Sequence, residues 1–258
     1  MLTEQVMIPG HLWMNYKLNI DMIKPALELC VASTKAIQIA KKYPFDRIEL
    51  CQNLENGGTT PSLGLIHFAT TSGLNTHVLI RPRAGNFIYT PEEIQVMLTD
   101  VKRCNLTSIK GLVVGSLTEN HEIDVVTICK MMETVEDLDF TFHRAFDDIT
   151  DWKKAMDQLI KLRFKRILTS GGQANVDLGK ERLKEMVKYA NGRIEIMIGG
   201  GIRPDNILSL TNEIVPTAIH FSGTSMVKNS TSKSLFSTDQ LEIDEEKVKL
   251  MVQNLKRI

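Results

Sequence analysis

The amino-acid sequence predicts an α/β protein folded as a single-domain (β/α)8 barrel, the TIM-barrel architecture. The main observation is that short apolar, β-rich segments alternate with longer segments of helical period. Eight β-rich segments follow one another, at residues 26–33, 47–52, 76–83, 111–117, 139–146, 166–172, 194–201 and 218–223. A doubly wound open sheet is the alternative, but it usually has fewer strands and a clear switch point.

Helix-start signals lie between these segments. Residues 90–93, Thr-Pro-Glu-Glu, form a capping box with proline in the first turn and predict a helix to about Asn105. Residues 60–62 and 203–205 each place proline at a helix start. Asp151 precedes an amphipathic helix that runs to about Arg163. The last predicted helix is 244–258, whose inward face carries Val248, Met251, Val252 and Leu255.

The chain shows no internal linker, so the barrel is predicted to span 26–258. Residues 1–25 precede the first strand and form an N-terminal extension, expected to be a helix that closes the barrel floor. Residues 228–241 are rich in Ser and Thr, a composition typical of a mobile polar loop.

Composition excludes several classes of function. Lys+Arg and Asp+Glu each total 31, so the net charge is zero, which argues against nucleic acid or a membrane surface as a partner bound by charge. No apolar run reaches the ~18 residues that span a bilayer, and the N-terminus lacks a secretory pattern. Four cysteines are too few for a disulfide framework. We therefore expect a cytoplasmic protein.

In a barrel of this kind the active site lies at the carboxyl ends of the strands. The first strand ends with Glu28 and Cys30, and the second with Glu49 and Cys51. Strand side chains alternate between faces, so each acid shares a face with the cysteine two residues later. If the two strands have similar register, both thiols lie at one level and both carboxylates ~6–7 Å deeper. Core packing is the competing interpretation for the cysteines, because cysteine is often buried.

Two buried carboxylates cannot both stay charged without partners. Arg81, at the end of the third predicted strand, and His143, on the fifth, are predicted to neutralise them. A buried acid–base cluster of this kind is typical of a functional site. Glu28, Glu49, Arg81 and His143 are therefore the candidate catalytic residues if the barrel is an enzyme.

Glycine-rich turns after the later strands predict an anion site, because glycine exposes backbone amides and a helix N-terminus follows. Arg81 and Arg83, at the end of the third predicted strand, could clamp the same anion. The candidate anion-binding residues are Arg83, Gly171, Gly172, Gly200, Gly201, Ser222 and Gly223.

With these residues assembled, the sequence resembles the CutC family of copper homeostasis proteins, which have a TIM-barrel fold. The resemblance is carried by RIELCQNLENGGTTPSLG (47–64), IRPRAGNFIYT (80–90), TFHRAFD (141–147), RILTSGG (166–172) and IGGGIRPDN (198–206). It implies a cytoplasmic homo-oligomer that handles copper, with Cu(I) held by Cys30 and Cys51. Soft thiolates suit Cu(I), and Met197 is a possible third soft ligand. Many relatives carry Asp where this chain has Asn86.

Two functions stay open at this stage. The first is a copper homeostasis protein that binds Cu(I) through the two cysteines. The second is an enzyme of lyase, isomerase or hydrolase type that acts on a small anionic or phosphorylated metabolite, with His143 or Glu49 as general acid or base. The sequence shows no sign of an organic cofactor.

Overall fold

The structure, a computed structural model, describes residues 24–228 and 239–256. Eight parallel strands close into a barrel in chain order, and the first strand pairs with the eighth. The barrel strands are β1 (Ala26–Val31), β2 (Arg47–Leu50), β3 (Thr76–Leu79), β4 (Gly111–Val114), β5 (Asp139–Phe142), β6 (Arg166–Thr169), β7 (Glu195–Gly199) and β8 (Ala218–Phe221). The predicted (β/α)8 fold is confirmed.

The described helices surround the barrel. They are α1 (Thr34–Ala40), α2 (Leu63–Thr71), α3 (Pro91–Cys104), α4 (Val125–Met132), α5 (Trp152–Lys161), α6 (Val176–Ala190), α7 (Ile207–Ile214) and α8 (Glu245–Lys256). Short 3₁₀ helices cover Leu54–Asn56 and Arg144–Asp148. An antiparallel pair, β9 (Thr224–Val227) and β10 (Gln240–Ile243), lies outside the barrel. No helix in the described part of the chain is long and apolar enough to cross a membrane.

Side-chain caps fix where several helices begin. Thr90 accepts a hydrogen bond from the Glu93 amide while the Glu93 carboxylate accepts one from the Thr90 amide, so the predicted capping box is present. Ser62 caps α2 by accepting from the Leu65 amide. Helix α7 begins later than residues 203–205 predict, because the Asn206 side chain first closes a turn by accepting from the Arg203 amide.

The main apolar core lies between the barrel and the helices. Outward-facing strand residues such as Leu29, Ile48 and Val78 are fully buried there. Helix α8 contributes the four apolar residues predicted for its inner face, Val248, Met251, Val252 and Leu255, all of them buried. Inside the barrel the apolar clusters are small: one contains Cys30, Cys51, Leu79 and Val113, and the other Leu168, Met197 and Ala218.

The rest of the barrel interior is polar. Arg166 is 3% exposed and donates to Asp139, Glu195 and Thr141 from within the barrel. His77 lies beside Arg166, and the facing position on β4 is Gly111. A Cβ atom at Gly111 would lie 2.4 Å from the His77 ring, so only glycine leaves room for that side chain.

Several strands are shorter than the sequence predicts. Strand β3 ends at Leu79 instead of residue 83, and β5 at Phe142 instead of residue 146. Pro82 has no N–H to give to the sheet, and residues after His143 turn into a 3₁₀ helix. The predicted helix in residues 1–25 lies almost wholly outside the described residues. So does most of the predicted loop 228–241, although its end, 240–241, belongs to β10.

Candidate functional site

Strands β1 and β2 are staggered, which corrects the expectation that the two thiols and the two carboxylates lie at matching levels. Cys30 pairs with Glu49 across the sheet, and Glu28 pairs with Arg47. A stagger of this kind accompanies strand tilt in a closed barrel. Even so, the sulfur atoms of Cys30 and Cys51 come within 3.6 Å of each other, and neither cysteine forms a disulfide.

The two thiols line a cavity of about 300 Å³ at the carboxyl ends of the strands. Its lining combines these cysteines with acidic, basic and aromatic side chains. Among them are Glu49, Arg81, Phe87, His143, Arg144, His220 and Ser222, together with Gly57, Gly58, Gly200 and Gly201. The structure therefore brings together residues from most of the predicted strand ends.

Arg47 and His220 neutralise the two buried carboxylates. Arg47 forms a buried ion pair with Glu28. His220 Nδ1 lies 2.7 Å from Glu28 Oε1 and 3.3 Å from Glu49 Oε2. The prediction that Arg81 and His143 fill this role is wrong, because the register of the closed barrel places Glu28 beside Arg47 on one strand and His220 on the other.

The ionisation of this cluster follows from these contacts. Burial opposes the charged form of Glu28, but the hydrogen bond and charge of His220 and the charge of Arg47 hold its pKa well below the usual range. Burial raises the pKa of Glu49 to about 7, with the charge of Glu28 adding to the effect and His220 opposing it. Burial also opposes the charge on His220, yet Glu49, Cys30 and Glu28 together raise its pKa well above the ordinary value.

Cys30 connects the acid–base cluster to the thiol pair. Its hydrogen bond with Cys51 and its burial raise the pKa of the Cys30 thiol well above the ordinary value. Ligand atoms of Cys30, Glu49 and His220 all lie within 4.8 Å of one another, a spacing that one metal ion could bridge. Met197, the possible third soft ligand, lies elsewhere: it is fully buried and its Sδ accepts from Arg47.

Arg81 is held by main-chain carbonyl groups. Its guanidinium donates to the oxygens of Asn56, Gly58 and Gly85, and it lies 5.1 Å from the centre of the Phe87 ring. The glycine turn at 57–58 allows this approach, because both residues have positive φ and a Cβ at Gly57 would lie 3.2 Å from Arg81. The glycine turn after β2 therefore supplies carbonyl oxygens that hold the Arg81 guanidinium.

His143 caps the 3₁₀ helix that follows β5. Its Nδ1 accepts a hydrogen bond from the Ala145 amide at 3.1 Å, so the neutral ring carries its proton on Nε2. Burial and the nearby charge of Arg81 lower the pKa of His143 to about 3. A Cβ at Gly115 would lie 2.3 Å from this ring, so the glycine leaves room for it.

Asp147 occupies the glycine turn after β6, where the sequence predicts an anion. Its carboxylate accepts from the amides of Ser170 and Gly172 and pairs with Arg144 at 2.8 Å. The Gly171 amide donates to Thr169 instead. Gly171 and Gly172 do not line the cavity, and a carboxylate of the protein itself already takes the place of the expected ligand.

The remaining predicted anion-binding residues divide into two groups. Arg83 pairs with Glu93 and donates to Asn86, and it lies outside the cavity. Gly223 also lies outside the cavity. Three of the predicted residues do line it: Gly200, Gly201 and Ser222.

The sequence analysis assigned no site role to three residues that are important to this arrangement. Arg47 stands at the start of its strand, whereas active-site residues of a barrel are expected at the carboxyl ends. His220 lies near a strand end, but nothing in the sequence pairs it with Glu28, 192 residues away. Asp147 lies within the TFHRAFD stretch, where an acid four residues after a histidine was the available signal.

Comparisons with known proteins agree with this architecture. A CutC protein from Glaesserella parasuis is 41% identical over 197 residues, which cover 76% of this chain and 81% of that protein. The human copper homeostasis protein cutC homolog is 39% identical over 200 residues, 77% of this chain and 73% of that protein.

Solved structures give the same result. The crystal structure of CutC from Streptococcus agalactiae has a TM-score of 0.73 and 37% identity, covering 76% of this chain and 97% of that one. Phosphoribosylanthranilate isomerase from Thermotoga maritima, at 13% identity, has a TM-score of 0.54 over 91% of this chain and all of its own, and shares the fold alone. The family model for the CutC family matches residues 25–225. The chain therefore belongs to the CutC family.

Proposed function

We propose that this protein serves copper homeostasis by binding Cu(I) through Cys30 and Cys51. The observation that carries the proposal is the 3.6 Å separation of two free thiols that line the same cavity. Membership of a family that includes the human copper homeostasis protein cutC homolog supports it. A reducing compartment such as the cytoplasm would keep both thiols available for the metal.

The donor set favours Cu(I) over the commoner hard cations. Thiolates are soft ligands that select Cu(I), whereas Mg²⁺ and Ca²⁺ require several oxygen ligands. Leu79 and Val113 pack around the two cysteines and make one wall of the site apolar. A site with few ligands suits a soft, polarisable ion of low coordination number.

His220 is the best placed third donor. Its Nδ1 is bonded to Glu28, so a metal would bind at Nε2 after the imidazolium releases the proton on that nitrogen. Histidines that bind metals commonly donate their other ring nitrogen to a carboxylate, and Arg47 holds that carboxylate in place. His220 also interacts with the Cys30 thiol. The metal would therefore bind between Cys30, Cys51 and the imidazole.

The direct test is a Cu(I) competition titration of the reduced protein against a chromophoric chelator. Wild type is expected to bind one Cu(I) per chain, and Cys30→Ser/Cys51→Ser is expected to lose that ion. Cys129→Ser is the matched control, because this cysteine is on α4 and outside the cavity. Equal binding by wild type and the double variant would refute the proposal.

A further inference from the structure

Arg81 is a buried cation that contacts no negatively charged group among the described residues. The residue is only 6% exposed, and its hydrogen bonds go to main-chain oxygens, which are neutral acceptors. No carboxylate among the described residues lies within ion-pair distance of its guanidinium. Burying an unpaired charge costs several kcal/mol. A counter-charge at this position would remove much of that cost.

Among the described residues, the other two buried arginines show how this fold satisfies such a charge. Arg47 pairs with Glu28, and Arg166 pairs with both Asp139 and Glu195. Arg144, which shares the cavity with Arg81, pairs with Asp147. Arg81 differs from all of these, and it also differs in lining an open cavity where a ligand could supply the missing charge.

The carboxylate that lines the cavity is not available to Arg81. Glu49 lies 3.3 Å from His220 Nδ1, and Glu28 beneath it is paired with Arg47 and His220. The acidic groups of this region therefore have their own cations. The positive charge of Arg81 at the cavity wall has no counter-charge among the described residues.

Two hydrogen-bond donors on this wall have no partner among the described residues. They are Arg81 Nε and His143 Nε2, and both belong to side chains more than nine-tenths buried. Tyr89 Oη, which interacts with Arg81 but does not line the cavity, is the third buried atom of this kind among the described residues. Buried polar atoms normally find a partner, so each exception needs an explanation. Both residues line the same cavity and both offer N–H groups, which is the pattern expected for an anionic oxygen acceptor.

We propose that Arg81 and His143 form a binding site for a small molecule that carries a carboxylate or phosphate group. The anionic group accepts hydrogen bonds from the Arg81 guanidinium and from His143 Nε2 once a side-chain movement uncovers these buried donors, and it supplies the counter-charge that Arg81 lacks. A cavity of about 300 Å³ is at the lower end of the range for small-molecule sites. The site uses neither cysteine, so it stands independently of copper binding.

The test is the melting temperature of the copper-free, reduced protein titrated with inorganic phosphate and with succinate. Sodium chloride at equal ionic strength controls for general salt effects. A ligand that binds the folded state raises the melting temperature with its concentration. We expect at least one of the two anions to give a saturable rise that sodium chloride does not reproduce. The anion that succeeds distinguishes a phosphate from a carboxylate ligand.

Four variants locate the effect. Arg81→Gln should abolish the rise, and Arg103→Gln, at an exposed position on α3, should leave it intact. His143→Asn keeps a side-chain acceptor for the Ala145 amide but removes Nε2, so the dissociation constant should increase about tenfold. Cys30→Ser/Cys51→Ser should bind the anion like wild type, which separates this site from the copper proposal.

The outcome is decisive even if Arg81→Gln does not fold, because His143→Asn then tests the site alone. The proposal is overturned if neither anion gives a saturable rise in wild type. It is equally overturned if the folded Arg81→Gln and His143→Asn variants bind the anion as tightly as wild type, or if Arg103→Gln loses binding as they do.

Discussion

The sulfur atoms of Cys30 and Cys51 lie 3.6 Å apart although strands β1 and β2 pair in a staggered register. Cys30 pairs across the sheet with Glu49, not with Cys51. Glu49 lies at the level of Cys30. Cys51 follows the end of β2, and the stagger places its thiol above that of Cys30. Cys30 is therefore grouped with Glu49 and His220, whereas Cys51 is not part of that group.

Single cysteine variants should each lose most of the Cu(I) affinity. In the proposed site two thiolates hold one ion, so the removal of either would leave a single soft ligand. We expect Cys30→Ser and Cys51→Ser each to weaken binding at least 100-fold in the chelator competition. If His220 is the third donor, Cys51→Ser retains more affinity than Cys30→Ser/Cys51→Ser. Loss confined to one of the single variants would contradict the paired site.

Replacing Glu28 should destabilise the barrel strongly. Glu28 is fully buried between Arg47 and His220, and Glu28→Gln leaves the buried Arg47 and the partly buried His220 without their carboxylate. Breaking a buried ion pair in this way costs about 3–5 kcal/mol, which urea denaturation would measure. Glu122→Gln, which breaks an exposed pair, should have little effect. Comparable losses in the two variants would show that the buried network adds no special stability.

Asp147 should hold the turn after β6 in one conformation. Asp147→Asn replaces the carboxylate that accepts from the Gly172 amide and pairs with Arg144, with an expected loss of about 2–4 kcal/mol. The Gly172 amide should exchange with solvent much faster in NMR experiments. Asp151→Asn is the matched control, since Asn also caps helices well and α5 should be unaffected. Unchanged exchange at Gly172 would exclude this role for Asp147.

The sequence predicted the barrel well because its signals are local. The capping box at Thr90 and Glu93 needs only the spacing of neighbouring residues, and the structure contains it. Ser62 likewise marks the start of α2. Strand ends were less accurate, because β3 and β5 lose their sheet partners before their apolar character ends. Where a strand leaves the barrel depends on the neighbouring strand, which a local pattern does not contain.

The site was predicted only in part, because some of its features are local in the sequence and others depend on how the strands pair. The repeated spacing of an acid and a cysteine placed both thiols near one cavity, which the structure contains. The partners of the acids were wrong because they depend on register and closure: His220 reaches Glu28 only when β8 pairs with β1. The role of Gly172 depended on Asp147, which approaches from the preceding βα loop.

Gly115 should be essential for the position of His143. In Gly115→Ala the new Cβ would lie 2.3 Å from the imidazole, so the ring must move, at a cost of about 1–3 kcal/mol. The anion-dependent rise in melting temperature should be lost with it. Gly64→Ala is the control: this helical glycine has open space around it and its replacement should stabilise by about 0.4–1 kcal/mol. A Gly115→Ala protein as stable as wild type would contradict the close approach.

His77 should make the protein less stable in mild acid. Burial, with the nearby charge of Arg166, lowers its pKa from 6.5 to about 4. Between these values the unfolded chain binds a proton at His77 that the folded chain does not, so stability is lost as the pH falls. The loss is about 1.4 kcal/mol per pH unit, or about 2 kcal/mol between pH 6.5 and pH 5.

Other groups in the barrel titrate in the same range, so the measurement must isolate His77. The free energy of unfolding of wild type and His77→Gln is compared at pH 6.5 and pH 5, and the variant should lose about 2 kcal/mol less than wild type. His67→Gln makes the same substitution at an exposed position on α2 and should follow the wild-type pH dependence. If His77→Gln and wild type lose equal stability, His77 takes up its proton in the folded barrel. The ring would then need an acceptor other than Arg166, whose guanidinium can only donate.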